Sequence, residues 1–193
     1  ILLVISGLLA YVSITQGSIL WLIVAVAVFL LRPILVTFSA MCMVLIGNRW
    51  YMQPLLRKKI AEATDIFGAH SGVKIAVLGS YGKTTMKELL ATVLGEGLNC
   101  AATLATKNVA ISHAEFARSL SGDEAVIILE FGEGKPGDTK IFTDMLKPDY
   151  AVVTGLAPAH LNQYGTLASI AKDFSYITNY VPVDKIYING SDV

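Results

Sequence analysis

Apolar and polar positions divide this chain into two contrasting parts. Almost every residue from 1 to 47 is apolar or small, and the main polar breaks fall at residues 13–18 and at Arg32-Pro33. From residue 73 onward, short apolar runs of strand length alternate with longer stretches of helical periodicity. The pattern therefore predicts a membrane segment followed by an α/β domain.

The first 47 residues are predicted to form transmembrane helices. A bilayer-spanning helix needs about 20 apolar residues, and the stretch before residue 13 resembles a truncated span. The stretch from 19 to 46 is too long for one span and short for two. Arg32-Pro33 is therefore either a turn between two short helices or a kink with a snorkelling arginine. We expect two or three transmembrane helices, the first truncated.

The pattern of residues 48–72 predicts an amphipathic helical connector. Four basic residues lie in this flank: Arg49, Arg57, Lys58 and Lys59. Basic flanks of membrane helices tend to face the cytoplasm. We therefore expect a multi-pass protein of the cell (inner) membrane whose remaining residues lie in the cytoplasm, where ATP is available.

Near-continuous apolar strands separated by helices favour a parallel sheet covered on both faces. The predicted strands are 74–78, 100–103, 125–129, 150–154 and 185–188, and the predicted helices are 84–94, 111–120, 138–146 and 167–180. The predicted fold class is α/β, P-loop-containing, with a mostly parallel sheet and helices on both faces. We divide the chain into a membrane segment 1–47, a connector 48–72 and an α/β domain 73–193 that is incomplete at its C-terminus.

Composition restricts the function classes further. The 193 residues carry a net charge of +0 and are 54% hydrophobic, so charge gives no indication of a nucleic-acid partner. The two cysteines, Cys42 and Cys100, have no metal-ligand spacing, which favours a reduced cytoplasmic setting. Because the chain begins with Ile1 and stops at Val193 just after a predicted strand, we expect a fragment of a longer protein.

A glycine-rich loop follows the first predicted strand and opens a predicted helix. Its residues are Gly79, Ser80, Tyr81, Gly82, Lys83, Thr84 and Thr85. Such a loop binds phosphate, because glycines let the backbone approach the anion and free N–H groups at the helix start point at it. Lys83 would contact the β- and γ-phosphates, and the Thr84 hydroxyl would bind Mg²⁺. The standard motif has glycine where this chain has Val77, so the loop is a shortened variant.

Two further polar residues are predicted at the same edge of the sheet. Glu130 follows the strand 125–129, and His160 comes shortly after the strand 150–154. Ligands of parallel sheets bind beyond the carboxyl ends of the strands, where Thr84, Glu130 and His160 would converge. Glutamate oxygen suits Mg²⁺ beside phosphates. The alternative for Glu130 is a solvated loop charge, and for His160 a structural role.

These residues resemble the central ATPase domain of the Mur ligases, the ATP-dependent amide ligases of peptidoglycan synthesis. The similarity is greatest to the member that adds D-alanyl-D-alanine. It covers roughly residues 73–193 in one consistent order. The matching segments are Gly79 to Thr85, Lys87-Glu88, Glu130, Gly132, Pro136-Gly137-Asp138, Pro148 to Thr154, Ala159-His160-Leu161, Gly165-Thr166, Ile170-Ala171, Asn189 and Asp192.

The resemblance implies a reaction, two cofactors and a set of roles. Such ligases use ATP and Mg²⁺ to phosphorylate a substrate carboxylate, and an amine then attacks the acyl phosphate. By the match, Lys83 and His160 are catalytic, and Thr84 and Glu130 hold one Mg²⁺. His160 would hold a second Mg²⁺ near the acyl phosphate. Thr106-Lys107-Asn108 corresponds to a substrate and phosphate loop, from which only Asn108 is carried over.

Three departures from the family pattern bear on activity. Phe174 stands where many members have a carbamylated lysine, so the second metal site is either weakened or rebuilt, with Asp173 as the candidate ligand. Gly155 replaces an asparagine. We expect membrane segments in place of the family's N-terminal domain, which binds the UDP-sugar, and we expect the C-terminal domain to be missing only because the chain is cut.

Two functions compete at this stage. The first is a membrane-anchored Mur-type amide ligase acting on a carboxylate acceptor, such as a lipid-linked cell-wall precursor, with an amino acid or peptide as the amine donor. The second is a membrane-tethered P-loop ATP-binding or regulatory protein with a degenerate ligase site. A further α/β domain encoded downstream would favour the first. A transporter is disfavoured, because the apolar segment is short and Arg32 is its only charge.

Overall fold

The computed structural model describes residues 2–17, 19–104 and 107–190. The chain divides into two compact units, Ile1–Leu55 and Leu56–Val193. Asp192, which the family resemblance includes, and Thr106 lie outside the described residues.

Helices make up the first unit. Helix α1 spans Leu2–Gln16 and helix α2 spans Ile19–Gly47, and the two helices contact each other. A short π-helical turn, Asn48–Met52, follows and leads directly into helix α3, Gln53–Ala69. One helical stretch, within Leu22–Ala69, is long and apolar enough to cross a membrane by its length and composition.

Helix α2 continues through Arg32-Pro33 rather than turning there. Proline lacks the N–H that would bond the carbonyl one turn earlier. The neighbouring polar groups find partners within the helix: the Thr37 hydroxyl donates to the Pro33 carbonyl at 2.9 Å, and the Arg32 guanidinium lies 4.7 Å from the centre of the Phe29 ring. The structure therefore contradicts the turn between two short helices at Arg32-Pro33.

The second unit contains a five-stranded parallel sheet. Its strands are β1 Val73–Leu78, β2 Cys100–Ala102, β3 Val126–Glu130, β4 Tyr150–Val153 and β5 Ile186–Ile188, in the spatial order β2-β3-β1-β4-β5. All four strand pairs are parallel. β1 lies at the centre, so the loop after β1 is flanked by the loops after β3 and β4.

Both faces of this sheet are covered by helices. Helix α4, Lys83–Gly95, packs on one face through Met86 and Leu90. The other face is covered by the end of α3 and by α5 Ala110–Ser119, α6 Asp138–Leu146 and α8 Leu167–Phe174. Neighbouring residues of β3 point to opposite faces and are all buried, which explains why the strands are almost continuously apolar.

The predicted elements match this sheet closely, with two differences. The predicted helix 167–180 is in fact α8, ending at Phe174, followed by a 3₁₀ turn, Ser175–Asn179. Such turns are common where a helix ends. A one-turn helix, α7 Leu161–Tyr164, was not predicted. The fold-class prediction of a parallel α/β sheet with helices on both faces is confirmed for this unit.

Candidate functional site

The glycine loop between β1 and α4 has the backbone that its sequence predicts. Gly79 and Gly82 have φ values of +142° and +71°, in the region that favours glycine. A Cβ atom on Gly79 would lie 2.2 Å from the Thr154 hydroxyl oxygen. The loop therefore requires glycine at position 79 both for its conformation and for its close approach to β4.

The end of β4 fastens the loop in place. The Thr154 hydroxyl donates to the Tyr81 carbonyl at 2.5 Å, and the Ser80 N–H donates to the Gly155 carbonyl at 2.9 Å. Thr154 is buried and Tyr81 is exposed. Sequence reasoning missed Thr154 as a loop anchor, although its place after a central strand could have indicated it. Gly155, the departure from the family's asparagine, also contributes its backbone to the anchor.

Helix α4 directs its free N–H groups toward the loop. Its first intrahelical bond runs from the Met86 N–H to the Gly82 carbonyl, so the N–H groups of Lys83, Thr84 and Thr85 are left for another acceptor. Thr84 is half-buried and Thr85 is exposed in this first turn. The arrangement suits an anion, because the positive end of the helix dipole lies there.

Lys83 folds back over the loop and meets a carboxylate. Its ammonium donates to the Gly79 carbonyl at 2.5 Å and lies 3.5 Å from Glu133 Oε1. The Ser80 hydroxyl donates to Glu133 Oε2 at 3.0 Å. Sequence reasoning assigned no role to Glu133, since a glutamate between two glycines has no distinctive spacing.

Glu130 ends β3 beside the loop. It pairs in register with Val77 of β1, and the next N–H, of Phe131, donates to the Val77 carbonyl at 2.8 Å. The Asn108 amide donates to Glu130 Oε1 at 3.3 Å. Glu130 is 2% exposed, and within the described residues its Oε2 atom accepts no hydrogen bond. A buried carboxylate oxygen without a hydrogen-bond donor is suited to a cation. The structure thus brings Glu130 and Asn108 together.

A buried lysine lies next to Glu130. Lys87, in the second turn of α4, is fully buried. Its ammonium donates to the Thr103 carbonyl at 2.6 Å and lies 3.7 Å from Glu130 Oε2 and 3.0 Å from the exposed Glu88 carboxylate. Sequence reasoning used Lys87 only for the family likeness, although a lysine on the buried face of a helix was a usable indication of a buried ion pair.

His113 forms a hydrogen bond to the backbone of Glu130. Its Nε2 atom donates to the Glu130 carbonyl at 2.9 Å, and its ring packs edge-on against Phe142 at 4.8 Å between centres. Burial lowers the pKa of His113 to about 4, against the smaller opposing effect of the Glu130 hydrogen bond. The imidazole is therefore neutral near pH 7. His113 thus lies in α5 on its buried face.

His160 differs from these residues in its polar contacts. It precedes α7 with a φ of +51° and is exposed. Its side chain makes no hydrogen bond or ion pair with any residue that the structure describes. Nor do residues 2–17, 19–104 and 107–190 contain a group of three or more His, Cys, Asp or Glu side chains that could hold a metal. The convergence of His160 with Glu130 and Thr84 stays a prediction.

Asp173 does not have the free carboxylate that a rebuilt second metal site would need. Its oxygens accept the Gly137 N–H at 2.7 Å, the Thr139 hydroxyl at 2.9 Å and the Tyr164 hydroxyl at 3.1 Å. The carboxylate thus binds the N-terminus of α6, where negative charge is favourable. Phe174 lies in the core, 7% exposed. As the structure has them, these residues do not fit a second metal ion, and a rebuilt site at Asp173 stays a prediction that its contacts do not support.

The fold and site together define a parallel α/β domain with a glycine loop between its central strand and the following helix. Residues 77–193 match the Mur ligase middle domain. The chain belongs to the Mur ligase family.

Several relatives agree with this assignment. The UDP-N-acetylmuramoyl-tripeptide--D-alanyl-D-alanine ligase of Escherichia coli (strain K12) is 30% identical over 118 residues, which are 61% of this chain and 26% of that protein. The UDP-N-acetylmuramate--L-alanine ligase of Myxococcus xanthus (strain DK1622) is 34% identical over 110 residues, 56% of this chain and 21% of that protein. This chain therefore corresponds to about a quarter of the length of these curated relatives.

Solved structures show the same fold. MurF from Acinetobacter baumannii superposes with a TM-score of 0.67 at 20% identity, covering 71% of this chain and 31% of that one. MurF ligase from Thermotoga maritima in complex with ADP has a TM-score of 0.61 at 27% identity, covering 66% of this chain and 30% of that one.

Proposed function

We propose that this chain is the nucleotide-binding part of a membrane-anchored, ATP-dependent amide ligase of Mur type. The observation that carries the proposal is the glycine loop before α4 with Lys83 and, beside it, the buried carboxylate of Glu130. Membership of the Mur ligase family and similarity to a relative solved with ADP support it.

The phosphate chain of ATP would be bound by the loop. Gly79 and Gly82 leave room for the phosphates, and the N–H groups at the start of α4 would donate to them. The Lys83 ammonium would leave the Gly79 carbonyl and contact the β- and γ-phosphates. Tyr81 and Thr85 would contribute backbone N–H groups to the same anion, and Ser80 would contribute its hydroxyl, which donates to Glu133 in the structure.

Glu130 and Thr84 would hold Mg²⁺, which offsets negative charge on the phosphates when it is bound. Within the described residues, the Oε2 atom of Glu130 accepts no hydrogen bond, which supports this role. Asn108 and Lys87 hold the Glu130 carboxylate from two sides, so its oxygens are positioned before any ligand enters. We therefore assign Lys87 and Asn108 as positioning residues.

The reaction would join a carboxylate to an amine in two steps. A carboxylate oxygen of the acceptor takes the γ-phosphoryl group, which gives an acyl phosphate and ADP. The amine nitrogen of an amino acid or peptide then attacks the acyl carbon, and phosphate leaves. Lys83 would stabilise the charge that develops as the phosphoryl group moves. His160 is the candidate for contacting the acyl phosphate, a role that rests on the family match alone.

Membrane anchoring is part of the proposal. It is supported by the apolar helix within Leu22–Ala69 and by the basic residues Arg49, Arg57, Lys58 and Lys59 that follow the apolar stretch. An anchor near a membrane would suit a lipid-linked cell-wall precursor as the acceptor. Retention of the chain in membranes washed at alkaline pH would support the anchor, and release into the wash would contradict it.

The decisive experiment measures ADP release by the full-length protein in detergent. The assay contains Mg²⁺, ATP, pooled amino acids and a cell-wall lipid extract, and each component is omitted in turn. ADP release that requires both acceptor and amino acid, is lost in Lys83→Ala and persists in Lys58→Ala would support the ligase. Lys58 is a suitable control because it is an exposed lysine on α3.

The hydrogen bonds of Asp173 and the burial of Phe174 favour a second function. Because neither is free to complete a second metal site, a nucleotide-binding or regulatory protein without ligase chemistry is the alternative. Binding of nucleotide with no acceptor-dependent ADP release would contradict the ligase and support this alternative.

A further inference from the structure

Glu133 is a buried carboxylate at the centre of the candidate nucleotide site. One oxygen lies 3.5 Å from the Lys83 ammonium, and the other accepts the Ser80 hydroxyl at 3.0 Å. The side chains of Lys83 and Glu133 are only 11% and 4% exposed. The pair is therefore shielded from water, and neither charge is readily satisfied by solvent if the other moves away.

The two partners of Glu133 are groups that a phosphate would use. An ammonium and a hydroxyl in a glycine loop donate to phosphate oxygens as they do here to carboxylate oxygens. Glu133 and a nucleotide phosphate therefore compete for Lys83 and Ser80. If phosphate displaces Glu133, a buried carboxylate is left beside several negative oxygens, and like charges brought together in this way are costly.

The loop that carries Glu133 is held on both sides of it. The Gly132 N–H donates to the Asn108 carbonyl at 3.0 Å, and a Cβ atom on Gly132 would meet that carbonyl at 2.4 Å. Beyond Glu133, the Lys135 N–H donates to Asp138 Oδ2 at 3.0 Å, and the Tyr164 hydroxyl donates to the Lys135 carbonyl at 2.8 Å. Glu133 can therefore exchange partners by rotating its side chain, while the backbone of its loop stays in place.

We propose that Glu133 makes nucleotide binding depend on a divalent cation. Without nucleotide, Glu133 holds Lys83 and Ser80. A nucleotide that enters with Mg²⁺ takes over these two donors, and the released carboxylate gains the cation as its new partner, directly or through a metal-bound water. A nucleotide without a cation offers no such partner and is rejected. This inference rests on the proposed nucleotide site and names Glu133 as the residue that selects the metal-bound form.

The test compares nucleotide affinity with and without Mg²⁺. The full chain in detergent is titrated with a non-hydrolysable ATP analogue, once with Mg²⁺ and once with EDTA. The quantity measured is the dissociation constant in EDTA divided by the dissociation constant with Mg²⁺. Removing the competing charge in Glu133→Gln is expected to tighten binding in EDTA by about tenfold and to reduce the ratio by at least that factor. Glu96→Gln, an exposed position after α4, is the matched control and should leave the ratio unchanged.

The outcomes separate this inference from the proposed function. An unchanged ratio in Glu133→Gln, or equal weakening of binding with Mg²⁺ and with EDTA, would overturn the role of Glu133 and leave the nucleotide site standing. No binding by the wild-type chain in either condition would overturn both. Circular dichroism reports whether the variant folds, and Glu133→Ala, expected to shift the ratio in the same direction, decides the matter if Glu133→Gln does not fold.

Discussion

The two sides of the candidate site are built differently. On the β3 side, Glu130 is buried and contacts groups from α4, α5 and the segment before α5. On the β4 side, His160 is exposed, and its side chain makes no polar contact with the described part of the chain. The residues proposed to bind nucleotide and metal on the β3 side are therefore held in place by other parts of the domain, and we call this the fixed side. His160 on the β4 side has no such polar contacts, and we call this the open side.

The largest expected effect comes from the buried lysine on the fixed side. Lys87→Met removes the ammonium and leaves the Glu130 carboxylate buried without its cation. Breaking a buried ion pair in this way costs about 4 kcal/mol in the free energy of unfolding. Chemical denaturation of the full chain in detergent measures the change.

Glu88, the exposed carboxylate beside Lys87, provides the control for Lys87→Met. Glu88 is 61% exposed, so Glu88→Gln should change the free energy of unfolding by less than about 1 kcal/mol. Equal effects of Lys87→Met and Glu88→Gln would show that the Lys87–Glu130 contact does not stabilise the fold.

The next effect concerns the glycine loop. Gly79→Ala places a Cβ atom against Thr154 and imposes an unfavourable φ, with an expected destabilisation of about 3 kcal/mol and loss of nucleotide binding. Gly95→Ala, where a Cβ atom would meet nothing within 4 Å, should be neutral or stabilising. Thermal unfolding of both variants checks the difference, and an unperturbed Gly79→Ala would refute the close approach of the loop to β4.

A pH effect is expected on the fixed side, because the buried His113 lies there beside Glu130. The folded-state pKa of His113, about 4, lies below the unfolded value near 6.5. The unfolded chain therefore binds more protons between these values, and stability is complete above pH 6.5 and falls as the pH drops toward 4. Lowering the pH from 7 to 5 should cost about 2 kcal/mol through this residue.

His113→Gln isolates that contribution. Glutamine can still donate to the Glu130 carbonyl but does not titrate, so the variant should lose less stability than the wild type between pH 7 and pH 5. Denaturation curves at the two pH values provide the measurement. Parallel losses in the two proteins would mean that other groups account for the pH dependence.

The smallest effect is expected on the open side. His160→Ala removes an exposed side chain without polar contacts in the described chain, so stability should change by less than about 0.5 kcal/mol. Nucleotide affinity should also stay the same, because the glycine loop is anchored by Thr154 and not by His160. A loss of nucleotide affinity in this variant would place His160 inside the fixed part of the site.

Much of the α/β unit could be predicted from sequence because its strands are apolar on both faces. β1 and β3 were predicted within one residue at each end, and α6 matches at both ends. The position of Glu130 beside the loop also followed, since carboxyl ends of parallel strands share one edge. These features depend on local pattern and on topology, which a single sequence expresses directly.

Side-chain partners across the fold could not be predicted in the same way. Asp173 looked available as a metal ligand, but tertiary packing brings it to the N-terminus of α6. Glu133 had no predicted role, but the fold buries it against Lys83. The role of each residue depends on which distant backbone group or charge lies within about 3 Å of it. Sequence spacing carries no information about that distance.

The most direct test of the account is the dissociation constant for ATP in the presence of Mg²⁺, measured on the full chain and on Lys83→Ala. Loss of a charged hydrogen-bond donor to phosphate should weaken binding by at least about 30-fold, whereas Lys58→Ala should bind like the wild type. Equal affinities in all three proteins, or no binding by the wild type, would contradict a nucleotide site at the Gly79 loop.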